Sequence, residues 1–194
     1  MEMRAVILDG TKADDQEART ARQLIEAELK RSGWSFDSET LRDANIAPCR
    51  ACFTCWLKTP GICVIDDDGQ RVTQEIARSD LIVLISPITF GGYSYDLKKA
   101  FDRGVLPDLL PFFKKFGGET HHPARYGKPW YLLAIGTMGS DSEGREQLFT
   151  DMVARNALNA HSPEHGAVIL RKGESPAATR MKLEEALRTV GVSK

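Results

Sequence analysis

Residues 81–101 read LIVLISPITFGGYSYDLKKAF, and the architecture follows from them. Leu81–Ile85 is an unbroken run of β-branched residues and leucine. Such a run suits a strand buried on both faces, as in a parallel sheet covered by helices. Ser86–Tyr93 (SPITFGGY) is a loop of glycine, proline and apolar residues. Leu97, Ala100 and Phe101 then recur at helical spacing. One buried strand, one loop and one helix make the repeating unit of an α/β protein.

The same unit extends in both directions. Arg4–Leu8 reads as a buried first strand, and Asp9-Gly10 as the turn after it. Ala18, Ala21, Leu24, Ile25 and Leu29 mark a helix ended by Gly33, and Trp34–Leu41 alternates weakly, as an edge strand does. Val72 and Ile76 mark a short helix before Leu81. Trp130–Ile135 is a strand stopped by Gly136. Leu148, Phe149, Met152 and Val153 line a helix, Ala167–Leu170 is a last strand, and Leu183, Ala186, Leu187 and Val190 line a last helix. Five strands alternating with five helices predict a three-layer αβα sandwich around a five-stranded parallel sheet, in the flavodoxin-like order 2-1-3-4-5. A single domain over residues 1–194 is expected, with a cysteine-rich loop at 47–68 and an insertion at 104–128. The insertion carries three prolines and Phe112, Phe113 and Phe116; it is expected to be a lid, an oligomer contact or a loop packed on its own domain.

Bulk properties exclude some classes. Lys and Arg number 26 against 27 Asp and Glu, for a net charge of -1. No basic stripe stands out, so neither nucleic acid nor an anionic membrane is an expected partner. The apolar runs are far shorter than a membrane span, and residues 1–10 lack the pattern of a signal peptide. A cytoplasmic location is expected, where thiols stay reduced and cysteines serve metals or catalysis.

All four cysteines, Cys49, Cys52, Cys55 and Cys63, fall within PCRACFTCWLKTPGICVIDDDG. The spacing C-x2-C-x2-C-x7-C lets several thiolates face one centre, and Pro60-Gly61 can turn Cys63 back. Zinc sites usually show two separated pairs, so an iron–sulfur cluster and plain thiols lining a crevice are the stronger readings. Asp66, Asp67 and Asp68 are expected to cap the helix before Val72, since three adjacent carboxylates cannot all face one ion. Lys98, Lys99 and Arg103 are expected on a solvated helix face, with an ion pair to Asp102 or a neighbour as the alternative for Arg103. His121, His122 and Arg125 are expected to serve the structure of the insertion, with a substrate or nicotinamide-phosphate contact as the alternative.

In open parallel sheets, ligands bind beyond the strand carboxyl ends, where strand order reverses. That crevice should be walled by Gly10–Gln16, Ser86–Tyr93 and the GTMGS segment from Gly136. The first loop offers backbone N–H groups and the Thr11 hydroxyl to a phosphate. The cysteine segment follows the second strand and should emerge at the same sheet edge.

The stretches PCRACFTCWLKTPGICVIDDD, SDLIVLISPITFGGYSYDLKKAFDR and THHPARYGKPWYLLAIG resemble the flavodoxin-like NAD(P)H-dependent FMN reductases and, within them, the iron–sulfur flavoproteins. The resemblance implies FMN, its phosphate held at Thr11, Lys12 and Gln16. The ring would lie on Pro87, Ile88, Thr89, Phe90 and Gly91, near Gly136, Thr137 and Met138. It also implies a [4Fe-4S] cluster on Cys49, Cys52, Cys55 and Cys63. The first loop departs from the family's Ser-Pro-Arg pattern: Asp14 and Asp15 are expected to cap the helix, since facing a phosphate they would repel it. Thr89 stands where an aromatic residue is common, with Phe90 next.

The implied activity is FMN-dependent oxidation of NADH or NADPH, with electrons passed to a small-molecule or protein acceptor. The flavin carries the chemistry, so no catalytic side-chain constellation is expected. The alternatives are a non-enzymatic flavodoxin-like electron carrier, whose partner-steering charge the near-neutral balance does not supply, and a cofactor-free binding module. A homodimer or homotetramer is expected, because flavin sites of this superfamily are often completed between subunits.

Overall fold

The computed structural model describes residues 2–139 and 144–192. Five parallel strands form its main sheet: β1 (Arg4–Asp9), β2 (Ser35–Thr40), β3 (Leu81–Pro87), β6 (Tyr131–Met138) and β7 (His165–Arg171), in the order β2-β1-β3-β6-β7. Two further short strands, β4 (Lys114–Phe116) and β5 (Glu119–His121), pair only with each other as an antiparallel hairpin inside the insertion. They shift the numbering from the expected 2-1-3-4-5. The reason is local: Gly117 and Gly118 both take positive φ (57° and 83°), which a tight hairpin turn needs and which glycine adopts without strain.

The helices are α1 (Gln16–Arg31), α2 (Thr54–Leu57), α3 (Gly69–Arg78), α4 (Tyr95–Val105), α5 (Arg145–Asn159) and α6 (Pro176–Thr189). Successive strand residues face opposite sides, so each central strand feeds two cores. On one side Ala5, Ile7, Val83 and Ile85 pack with Ala18, Ala21, Ile25 and Leu29 of α1 and Leu183 and Leu187 of α6. On the other, Val6, Leu8, Ile82 and Leu84 pack with Val72 and Ile76 of α3, Leu97 and Phe101 of α4, and Phe149 and Val153 of α5. Burial of both faces explains why β3 shows no polar alternation. Strand order reverses between β1 and β3, which opens a crevice at their carboxyl ends.

Two strands outrun their expected ends. Pairing continues through Ser86↔Gly136 and Pro87↔Thr137. Gly136 therefore sits inside β6 rather than ending it. A Cβ there would stand 2.6 Å from Ile88 Cδ1, so the glycine admits close packing of the next loop. Proline is tolerated as the last residue of β3, and the ladder resumes with Ile88 N donating to Thr137 O at 2.8 Å.

Candidate active site

Three loops meet at the crevice, and short-range polar contacts join them. Ser94 caps α4 by accepting from Leu97 N at 3.3 Å, and its hydroxyl donates to Gly10 O at 2.7 Å. Ser86 Oγ accepts from Ser94 N at 2.7 Å. Gly10 must be glycine for this approach: a Cβ would fall 2.6 Å from Leu97 Cβ and 2.7 Å from Ser94 Oγ. Across the crevice, Thr137 Oγ1 donates to Asp15 Oδ2 at 2.6 Å, while Asp15 Oδ1 accepts from Ala18 N at 2.9 Å and caps α1. Ser94 was not among the expected site residues, although its place just before a helical apolar stripe is an N-cap signal.

The second loop is a two-residue hairpin turn. Thr89 and Gly92 exchange both backbone hydrogen bonds at 2.9 Å, with Phe90 at φ 52° and Gly91 at φ 81° between them. Positive φ at both central residues marks a type I′ turn. It holds the Phe90 side chain 95% exposed at the tip. Pro87, Thr137, Met138 and Gly139 line an open cleft of about 320 Å³ together with Lys12, Asp14, Asp15, Glu17 and Lys172. Ser140, the last residue of the expected GTMGS wall, lies outside the described residues.

The expected phosphate ligands are placed unevenly. Thr11 is buried, and both its amide (3.0 Å) and hydroxyl (2.6 Å) donate to Asp9 Oδ1. Asp9 is in turn paired with Arg22 at 3.2 Å. Gln16 is exposed and accepts from Arg19 at 3.2 Å. Lys12 lines the cleft, as does Lys172, which the sequence reading did not single out. The lining suits FMN at its ring end, where Pro87, Thr137, Met138 and Gly139 face the cleft. Gly91 and Gly136 are buried, their Cβ positions taken up by Leu148 and Ile88. Lys12 and Lys172 are the cations that line this cleft, with Asp14 and Asp15 beside them. Arg19, Arg22 and Arg42 line the adjoining cavity with Thr11 and Lys12.

The cysteine segment is not a wall of this cleft. It forms a turn of helix, α2, and packs on the carboxyl end of α4 and on the insertion. Trp56 Nε1 donates to Leu106 O at 2.7 Å, and Arg125 Nη2 donates to Cys55 O at 3.5 Å. Cys49 lines a separate cavity of about 300 Å³ with Phe101, Leu106, Leu109 and Asn156. The segment follows the parallel strand β2 at the carboxyl edge of the sheet, as expected, and its two ends are bonded to Arg103 of α4. Cys55 is buried, Cys63 half-buried, and Cys49 and Cys52 exposed. Burial pushes the Cys55 thiol up, and the neighbouring Cys63, Cys49 and Cys52 push it further. The four thiols thus share one neighbourhood. Ala51 and Phe53, which separate the first three, take positive φ (50° and 54°), turning the chain sharply between them. Among the described residues no three His, Cys, Asp or Glu side chains converge closely enough to hold a single metal ion. The donor set still suits a cluster, which asks for four thiolates around a larger body than one ion.

Two charged groups behave unlike their sequence reading. Arg103 is 1% exposed and so not on a solvated face; it takes the alternative ion pair, with Asp67 at 2.6 Å and not with Asp102, which pairs with Lys98. The spacing of three from Ala100 to Arg103 was the available signal, since that places Arg103 beside the buried stripe. Asp67 and Asp68 accept from Ala47 N (2.9 Å) and Asn45 N (2.7 Å), so they bind the chain entering the cysteine segment. Only Asp67 also reaches the start of α3, accepting from Gly69 N at 2.9 Å. His121 and His122 brace the insertion: His122 lies between Trp56 and Phe113, with ring centroids 4.7 and 4.8 Å away, and His121 Nδ1 lies 3.2 Å from Asn159 of α5. Among the described residues no helix is long and apolar enough to cross a membrane.

The sequence matches the NADPH-dependent FMN reductase family over residues 3–175. It is 30% identical over 102 residues to an iron-sulfur flavoprotein of Methanosarcina thermophila, covering 51% of this chain and 52% of that protein. It is 31% identical over 103 residues to an iron-sulfur flavoprotein of Archaeoglobus fulgidus, covering 53% and 46%. The chain thus matches these relatives over only about half their length. Similar solved structures include an NAD(P)H:quinone oxidoreductase from Methanothermobacter marburgensis, with a TM-score of 0.67, 14% identity and 97% and 95% coverage. An azoreductase from Bacillus anthracis gives a TM-score of 0.67 at 12% identity, with 97% and 98% coverage. At such identities the likeness concerns the fold.

Proposed function

We propose that this chain, which belongs to the NADPH-dependent FMN reductase family, is an FMN-dependent oxidoreductase that takes electrons from NADH or NADPH and passes them to a second acceptor. The observation that carries the reading is the cleft at the β1/β3 reversal, where Pro87 and Thr137–Gly139 meet Lys12 and Lys172. Bound FMN would supply the hydride and electron chemistry. The chain's own part is positional. Pro87 and Thr137–Gly139 would give the ring its wall. Ser94 and Asp15 hold the three loops at fixed separation, and Lys12 and Lys172 balance a phosphate's charge. The nicotinamide and the acceptor would use the same open face in turn. The acceptor is a small molecule or a protein.

Cys49, Cys52, Cys55 and Cys63 are proposed to hold a [4Fe-4S] cluster. The reading is supported by four thiols gathered about buried Cys55 and by the likeness to iron-sulfur flavoproteins. A flavin reductase with plain thiols is the second reading, favoured by the lack of convergence noted above. A homodimer or homotetramer in the cytoplasm is proposed as the working form. Exposed Leu57, Ile62, Phe112 and Phe113 supply apolar surface for subunit contact. Size-exclusion chromatography giving a monomer would remove that part.

The deciding experiment is a visible spectrum of protein purified without oxygen, with iron and sulfide assayed on the same sample and NADPH oxidation followed with and without added FMN. Flavin bands, matching iron and FMN-dependent turnover are expected. Flavin with turnover but no iron would leave the second reading. No flavin binding after FMN is added would overturn the oxidoreductase.

A further inference from the structure

We propose that Arg103 is the positioning residue of the cysteine segment: from α4 it clamps both ends of that loop and donates a hydrogen bond to Cys63 Sγ. The guanidinium is fully buried, and a buried charge persists only when paired and hydrogen-bonded. Its partners all belong to one segment. Nη1 donates to Asp67 Oδ1 (2.7 Å), Asp67 Oδ2 (2.6 Å) and Ala47 O (3.0 Å). Nη2 donates to Ile65 O (3.1 Å) and Cys63 Sγ (3.5 Å). These acceptors stand just before Cys49 and at or just after Cys63. Gly69 lies flat on the guanidinium, where a Cβ would fall 2.6 Å from Cζ.

A planar fork is needed for this. Lysine, a point charge, would be held by the Asp67 carboxylate and cannot also reach Cys63 and the two carbonyls. The segment between the clamped ends carries two left-handed residues and little regular structure, so its shape depends on where its ends are held. The N–H donated to Cys63 has a second consequence, which rests on the reading that the thiols hold a cluster. A cationic donor at a ligand sulfur favours the reduced, more negative state and raises the reduction potential.

The test compares FMN-loaded, anaerobically reconstituted wild type with Arg103→Lys, and with Asp67→Asn in case the first variant does not fold. Hydrogen exchange by mass spectrometry should show residues 45–67 exchanging about tenfold faster in the variants, with β3 and β6 unchanged. Iron per chain should fall, and the cluster that remains in Arg103→Lys should have a lower midpoint potential. Unchanged exchange at 45–67, or an equal rise throughout the chain, would overturn the assignment. An unchanged potential would overturn the role of the bond to Cys63. If wild type takes up no iron, the cluster reading fails by itself, and the exchange data still decide whether Arg103 clamps the loop.

Discussion

The Thr137 hydroxyl donates to Asp15 Oδ2 at 2.6 Å and ties the end of β6 to the N-cap of α1 across the mouth of the crevice. The same carboxylate occupies the helix N-terminus, where related chemistry would place a phosphate. The site is therefore organised by an acid at the point where its ligand should be most negative.

Replacing that acid should improve binding. Asp15→Asn keeps an oxygen for Ala18 N and removes the charge beside Lys12. FMN affinity should rise by about 3- to 10-fold at low salt, with a smaller difference at high salt. A fluorescence-quenching titration at two ionic strengths checks it. Equal affinity in both proteins would argue that the phosphate lies elsewhere.

Gly10→Ala should damage both stability and binding. The added methyl meets Leu97 Cβ and backbone N, at 2.6 and 3.0 Å, and neither can swing away. A loss of about 1–3 kcal/mol is expected in denaturant unfolding, with weakened FMN binding as the Ser94–Gly10 link opens. A stable variant with normal binding would show that the two loops are free to part.

Phe90→Asn separates stability from function. Phenylalanine at φ 52° is strained, whereas asparagine tolerates that conformation. The variant should be more stable by up to about 1 kcal/mol. It should nevertheless bind FMN more weakly if the exposed ring covers the flavin. Thermal melts with and without FMN read both effects, and unchanged FMN affinity would remove Phe90 from the site.

Asp108 should make stability pH-dependent. Burial pushes its carboxyl up from 3.8 to about 6, against a hydrogen bond from Trp130 Nε1 and the charge of Arg125. Because the folded value exceeds the unfolded one, its stabilising contribution is present below about pH 3.8 and is lost as pH rises through about 6. Asp108→Asn keeps an acceptor for Trp130 and cannot ionise. It should be more stable than wild type at pH 7.5, on the order of 2 kcal/mol, with the advantage gone at pH 4. Melting temperatures across that range check it, and parallel curves would contradict it.

The sequence by itself determined the βα order, because burial on both faces leaves an unbroken apolar run in β3 and helical spacing leaves Ala18, Ile25, Leu97 and Phe101 on one stripe each. It also located the crevice at the β1/β3 reversal, since strand order alone dictates where a parallel sheet opens. The β4–β5 hairpin escaped that reading because three-residue strands leave no periodicity. What only the tertiary structure decided was the partner of each polar group. Asp15 takes Thr137, and Arg103 leaves the solvent to hold Asp67 and Cys63. These pairs span 122, 36 and 40 residues. Hydrogen bonds and ion pairs act over a few ångströms, so which distant acceptor a donor meets is fixed only when the layers pack.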